Sequence, residues 1–549
     1  KILLMKILLL FFYYFGIIFS IIGYGNLSAK LLKRKYSLSE IGFHGLLFLI
    51  LISYITNFLV SHNLIHNIII LLIGLFSFVY FIKNESFDKK LFLQALAIFS
   101  ILFIGLLMYK NHDDFFYYHF PYTLSLIEQK KIIGIGHLEH GFRTPSSIFY
   151  LNSLFYLPVV DYFLINAGAI FYMGFSNVFF LEKINKELNK GKKDFILFLS
   201  LISLIFVNTA FYRIAEHGTD RSALILVFVL VILYYETLKK NFLKDKIRSI
   251  YLYEKMIVVL LLIISLKSFY LIYLIFLLVW AYQFRFIVYD YGILRLLFKN
   301  PFTYILVFGV CVFCLTVFLN TSCLVYPASF TCFSSVEWSI SIDQIKNMKD
   351  WYSLWSKAGA NPNFRVQDPS LYLSNFNWIS NWLSNYFFNK VSDFLLVIIL
   401  ISAICFFSIK NQKIKQSLSF NFNHNIIYST IFILFLEWFI NHPTLRYGGY
   451  SIIALLLFIP TCYYLDLYTK YSKKLKKTFY ILIFVSFGIF LIKNVNRIHN
   501  EMVKYDYNPF VSPYFNIVEG AFYFSKRLNK LDEERKKNNK NYYITLIQN

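Results

Sequence analysis

The chain has 549 residues, of which 58% are hydrophobic and 21% aromatic, with a mean hydropathy of +0.56. Repeated runs of about 20 residues, nearly free of charge, exclude a soluble globular domain and mark an all-α, polytopic transmembrane protein. The net charge of +24 does not point to nucleic acid, because Lys and Arg fall in short loops between apolar runs and no basic domain stands apart.

Taken in chain order, the apolar runs predict about 14 spans, near 2–23, 41–60, 66–83, 91–109, 158–182, 195–212, 221–238, 256–266, 268–284, 301–320, 389–409, 425–441, 449–468 and 478–495. The first run reads as a span, not as a cleaved leader. Basic loops at 24–40, 83–90, 183–194, 239–255, 285–299, 410–423 and 469–477 all fall on one side if both termini lie outside. That parity requires the stretch 256–284 to be two short helices meeting near Lys267. It also puts the basic tail, 497–549, on the outer side, where two sizeable loops lie at 110–157 and 321–388.

Asp113 and Asp114 stand where the run 91–109 ends, followed by "FFYYHFPYTLSLIEQKK", which reads as an amphipathic helix on the membrane surface. Two carboxylates at such a depth are costly and mark a site, since either can take a proton from a hydroxyl. A plain helix cap is the competing reading. His119, His137, His140 and Arg143 share this loop and offer donors for sugar hydroxyls or phosphate, or are ordinary surface residues. The turn "RIAEHGTDRS" adds Glu216 and Asp220, flanked by Arg213 and Arg221. Packed against the first loop, these oxygens suit Mg²⁺ or Mn²⁺; otherwise the charges of the turn neutralise one another.

Lys267 lies in the apolar stretch "LLLIISLKSFYLIYLIF". A cation there wants an anion, and a lipid-linked phosphate is the obvious partner, with a snorkelling side chain as the alternative. Cys323 and Cys332, nine residues apart, can pair in an oxidising compartment. Five tryptophans (Trp338, Trp351, Trp355, Trp378 and Trp382) lie in the same loop, as interfacial anchors or as platforms for sugar rings. Arg446, in "EWFINHPTLRYGGY", is a bidentate phosphate reader that complements Lys267, with Pro443 and Gly448-Gly449 shaping the turn. The absence of Walker A, GxGxxG, HExxH and GxSxG patterns argues against ATP-driven transport within the chain.

The segments "DDFFYYHFPY…GIGHLEHGFRTPSSIFYLNSLF", "SLKSFYLIYL", "SCLVYPASFTCF" and "HPTLRYGGY", in this order, resemble a group of bacterial membrane proteins with a GT-C glycosyltransferase-like core. The likeness runs roughly from Leu91 to the last span. It implies inverting transfer from a polyprenyl-phosphate sugar, on the periplasmic face of the bacterial inner membrane, with Asp114 as base and Asp113 beside it. Joined to the reading of the residues, Lys267, Arg446 and Arg143 would hold the donor phosphate, and His119, His137 and His140 the acceptor, an envelope lipid or a glycan such as lipopolysaccharide. On this plan 1–90 is a three-span extension, 91–320 the core, 321–388 an outer loop, 389–496 the C-terminal spans and 497–549 the tail. A polysaccharide polymerase would depend on paired Arg motifs in outer loops. A flippase would carry mid-membrane charges, often in repeated halves, and no internal repeat is visible.

Overall fold

Helices form where the apolar runs are, and polar residues start them. Ile196, Phe302 and Leu475 donate their backbone N–H groups to the side chains of Asp194 (3.4 Å), Asn300 (2.8 Å) and Ser472 (3.1 Å), each in or beside a basic loop. The computed structural model describes residues 2–84, 88–237, 246–282, 295, 297–360, 366–411 and 422–539. Most of the basic loops expected at 285–299 and 410–423, part of those at 83–90 and 239–255, and the tail from 540 lie outside the described residues.

The chain begins with α1 (Ile2–Leu31), α2 (Leu38–Leu59), α3 (Leu64–Asn84) and α4 (Lys89–Phe103). Short α5 (Phe120–Glu128) and α6 (Ser147–Ser153) lie in the first large loop. Then come α7 (Ala167–Asn189), α8 (Phe195–Ala210), α9 (Gly218–Thr237) and α10 (Lys246–Leu266). A 3₁₀ stretch, Ser268–Leu274, leads into α11 (Ile275–Tyr282) and α12 (Pro301–Thr321). α13 (Ile342–Lys357) lies in the second large loop, before α14 (Ser392–Ile409), α15 (Phe422–Asn441), α16 (Tyr450–Tyr468), α17 (Lys473–Tyr505) and α18 (Tyr523–Asn538). Every regular element among the described residues is helical, and 10 helical segments are long and apolar enough to cross a membrane.

α9 is apolar all round and 94% of its apolar window is buried, against 22% for α3, so α9 is central and α3 peripheral. α7, α8 and α10 surround α9, and α2 packs on α7 and α10. α1 and α2 are therefore built into the bundle, not appended to it. α1 and α2 approach so closely that a Cβ on Gly45 would lie 1.9 Å from the Ile21 carbonyl oxygen.

At the basic end, buried ion pairs tie the helices together. Lys183 meets Glu236 at 2.7 Å, Lys255 meets Glu40 at 2.5 Å, and Arg34 grips both oxygens of Glu254. At the opposite end the large loops and the tail interlock. The Tyr109 N–H donates to Glu501 (2.7 Å), Ser525 donates to Glu128 (2.5 Å), and the Trp382 indole donates to the Pro443 carbonyl (2.8 Å). The tail thus lies on the same face as both large loops.

Three expectations need correction. α7 begins at Ala167 and not near 158, because Val159 (φ 71°) and Asp161 (φ 43°) turn the chain out of helix. α10 is a full 21-residue helix from Lys246, and its Glu254 and Lys255 pair with Arg34 and Glu40; only its end at Leu266, beside Lys267, is as expected. α5 is not an exposed surface helix: Phe120 to Ile127 are buried, because α5 is enclosed by α6, the turn before it and α18.

Candidate functional site

The site forms where four helix ends converge on the face opposite the basic loops. Asp220 stands in the first turn of α9, where the helix dipole favours a carboxylate. Lys267 follows the last residue of α10, Arg446 precedes α16, and Asp114 follows the end of α4. Arg446 is aimed inward by a break in the chain: Gly448 has φ +101°, and Leu445 and Thr444 are pinned by Tyr386 (2.9 Å) and Trp438 (2.8 Å).

These four side chains make one ion-paired chain. Lys267 Nζ bonds Asp220 Oδ1, Arg446 Nε donates to Asp220 Oδ2 (2.9 Å), and Arg446 Nη2 donates to Asp114 Oδ2 (3.2 Å). Asp220 is buried, with 8% of its side chain exposed, whereas Asp114 keeps 28% exposed. Two cations and two carboxylates balance, which makes so polar a group tolerable at this depth. Rings complete the walls. Lys267 lies 4.7 Å over Tyr447, and the Arg446 guanidinium sits 5.7 Å from Trp355 of α13 and 5.8 Å from Tyr447. Burial holds the Tyr118 phenol well above its usual range, with the Asp114 carboxylate adding to the effect, so Tyr118 stays protonated. His112 Nδ1 accepts the Asp114 N–H (3.2 Å) and lies 3.6 Å from its carboxylate.

Asp114, Lys267 and Arg446 are thus brought together, with Asp220 as the link between the last two. Asp113 is not part of the group: its side chain is 88% exposed and meets Lys110 at 3.5 Å. Arg143 does not face the group either, because its guanidinium holds the Gly136 carbonyl (2.9 Å) and the Tyr326 hydroxyl (3.3 Å). His137 bonds the Trp338 carbonyl (3.1 Å), and His140 pairs with Glu139 (2.5 Å) while its ring lies 6.2 Å from Trp351. Both fasten the first loop to the second. His119 is buried beside a cavity of about 20 Å³ that also touches Asn152, Asn166 and Glu216, and burial pulls its imidazole down to about 3.

Glu216 and Asp220 do not share a cation site. Glu216 is held by Arg213 and by Arg497 (3.3 Å), and Asp220 by Lys267 and Arg446. Two carboxylates each neutralised by two cations do not fit a divalent ion between them, and no cluster of three His, Cys, Asp or Glu suited to a metal occurs among the described residues. Cys323 and Cys332 are joined as a disulfide. Trp378 and Trp382 are buried as packing residues, whereas Trp355 of α13 borders the ion group.

Sequence reasoning missed His112 and Tyr447 as parts of the site, although they adjoin Asp113 and Arg446, and it named Trp355 only as one of five tryptophans that anchor the loop or stack on sugars. No curated protein and no solved structure matches the chain. A family model described as Domain of unknown function (DUF8201) matches residues 5–453, most of the chain, and the protein belongs to that family.

Proposed function

We propose that this chain is a membrane glycosyltransferase that moves a sugar from a polyprenyl-phosphate donor to an envelope glycan or lipid acceptor on the periplasmic face of the bacterial inner membrane. The observation that carries the reading is the meeting of Asp114, Arg446, Asp220 and Lys267, drawn from distant parts of the chain into one half-open group beneath aromatic side chains. The same reading counts about 14 spans around a GT-C-like core, with α7, α8, the segment Ser268–Tyr282 and α15 joining the longer helices.

Asp114 is the base. It takes the acceptor hydroxyl proton as the acceptor oxygen bonds to the sugar C1, while the bond from C1 to the phosphate oxygen breaks and polyprenyl phosphate leaves with the electron pair. Attack opposite the leaving group inverts C1. Arg446 and Lys267 stabilise the charge that develops on the departing phosphate, and Asp220 fixes both cations in position beforehand. Tyr118 and Tyr447 supply hydroxyls and ring faces near the sugar. Arg446 bridges both carboxylates at rest, so acceptor entry frees Asp114 and turns Arg446 toward the phosphate.

The test uses purified protein in nanodiscs with a polyprenyl-phosphate sugar pool and envelope glycan from the source membrane. Glycan-dependent release of free polyprenyl monophosphate, lost in Asp114→Asn, supports transfer. Release of polyprenyl pyrophosphate instead would make the chain a polymerase, and lipid translocation without release would make it a flippase.

A further inference from the structure

The turn that ends α8 gathers three cations that the reaction above leaves unused. Lys493 of α17 donates to the Thr209 carbonyl (2.9 Å) and lies 5.0 Å over the Tyr212 ring. Arg221 of α9 donates to the Arg213 carbonyl (3.0 Å), and its guanidinium lies 5.9 Å from the Phe211 ring. Arg213 itself pairs with Glu216, with 42% of its side chain exposed. All three converge on residues 209–213.

The charges here do not cancel. Four cations (Arg213, Arg221, Lys493 and Arg497) share two carboxylates, Glu216 and Glu501. Glu216 already faces two guanidinia, from Arg213 and Arg497, and among the described residues neither Arg221 nor Lys493 has a carboxylate within ion-pair distance. The cluster lies on the face opposite the basic loops, so the orientation rule that explains those loops does not explain it. Capping the C-terminus of α8 accounts for one carbonyl contact, that of Lys493 with Thr209, but not for Arg221, which bonds a carbonyl beyond the helix end.

The surroundings are those of a lipid headgroup site. α14 and α17 both pack on α8, and they expose Leu396 and Leu400, and Ile492 and Val495. Inward, His217 immediately precedes α9, four residues before Arg221. Its ring lies 4.5 Å from that of His112, which adjoins Asp114. A phosphate held at this turn would therefore stand between the bilayer and the ion group.

We propose that Arg221 and Lys493, with Arg213, form a lateral port that captures the phosphate of a long-chain lipid from the outer half of the bilayer, its chain lying against the apolar sides of α14 and α17. The port rests on the transfer reading and names the entrance its donor would use.

The experiment measures binding of farnesyl phosphate to the full chain in nanodiscs of zwitterionic lipid, with farnesol and inorganic phosphate as comparators. Wild type is expected to bind farnesyl phosphate far better than either comparator, and Arg221→Gln and Lys493→Gln each to weaken it about tenfold with an unchanged unfolding midpoint. Lys493 is exposed, so its variant reports even where Arg221→Gln folds poorly. Wild-type affinity in the Lys493→Gln variant overturns the port, and if wild type still releases polyprenyl phosphate the transfer reading survives. Inorganic phosphate bound as tightly as farnesyl phosphate overturns the lipid assignment in favour of a free-anion site. Neither binding nor release by wild type overturns both.

Discussion

Asp220 is the residue on which the site's geometry depends. Asp220→Ala would leave Lys267 and Arg446 facing one another without their shared carboxylate, and truncation of one partner in a buried pair costs roughly 3–5 kcal/mol. The expected result is a large drop in the detergent unfolding midpoint, seen by circular dichroism; an unchanged midpoint would show that the ion chain contributes little. His119 makes a second test. Its folded value of about 3 lies below the unfolded 6.5, so the unfolded chain takes up the proton first. Stability is therefore full above about pH 6.5 and falls as pH drops toward 3, by about 2 kcal/mol at pH 5 for this one group. His119→Gln should flatten that part of the stability–pH curve, and a curve as steep as wild type would contradict neutral burial. Asp114, Lys267 and Arg446 were legible in the sequence because charge at the edge of an apolar run is costly and stands out. The linking role of Asp220, read in the sequence as a cation ligand, was not, because Asp220 and Arg446 are 226 residues apart and Asp114 and Arg446 are 332 apart. Only the packing of α9 against the α16 turn makes them neighbours.

The elements follow local sequence wherever a helix faces lipid or core in a regular pattern, and depart from it where another element intervenes. α5 read as a surface helix because its composition is amphipathic, yet the distant tail helix α18 covers it. The start of α10 looked like a basic loop because Lys and Arg recur from Lys239 to Lys255; Glu254 and Lys255 are each consumed by a partner from the first two helices or the loop between them. α13 brings Trp355 over Arg446 and Trp351 toward His140, so it roofs the site from the second loop. Trp355→Ala should raise the acceptor KM about tenfold with little change in kcat, as loss of a stacking wall implies. A fall in kcat alone would mean that Trp355 acts on the chemistry and not on binding. The second loop is also stapled by Cys323–Cys332. Closing so short a loop is worth roughly 2.5 kcal/mol in the chain-entropy account, so reduction should expose the 321–388 segment to protease.

At the scale of the whole molecule, basic loops and ion pairs gather at one end, and the two large loops, the ion group and the tail at the other. An impermeant thiol reagent should label Lys537→Cys and not Lys35→Cys in intact spheroplasts of a variant lacking the four free cysteines. Labelling of both from one side would break the parity on which the outer placement of the site depends. The most direct test of the transferase account compares envelope glycans by mass spectrometry in cells with wild type, Asp114→Asn, Asp113→Asn or no protein, at matched expression. The account predicts that one defined sugar mass disappears in the deletion and in Asp114→Asn but persists in Asp113→Asn. Retention of that mass in Asp114→Asn, with its loss in the deletion, would contradict the assignment of Asp114 as the base.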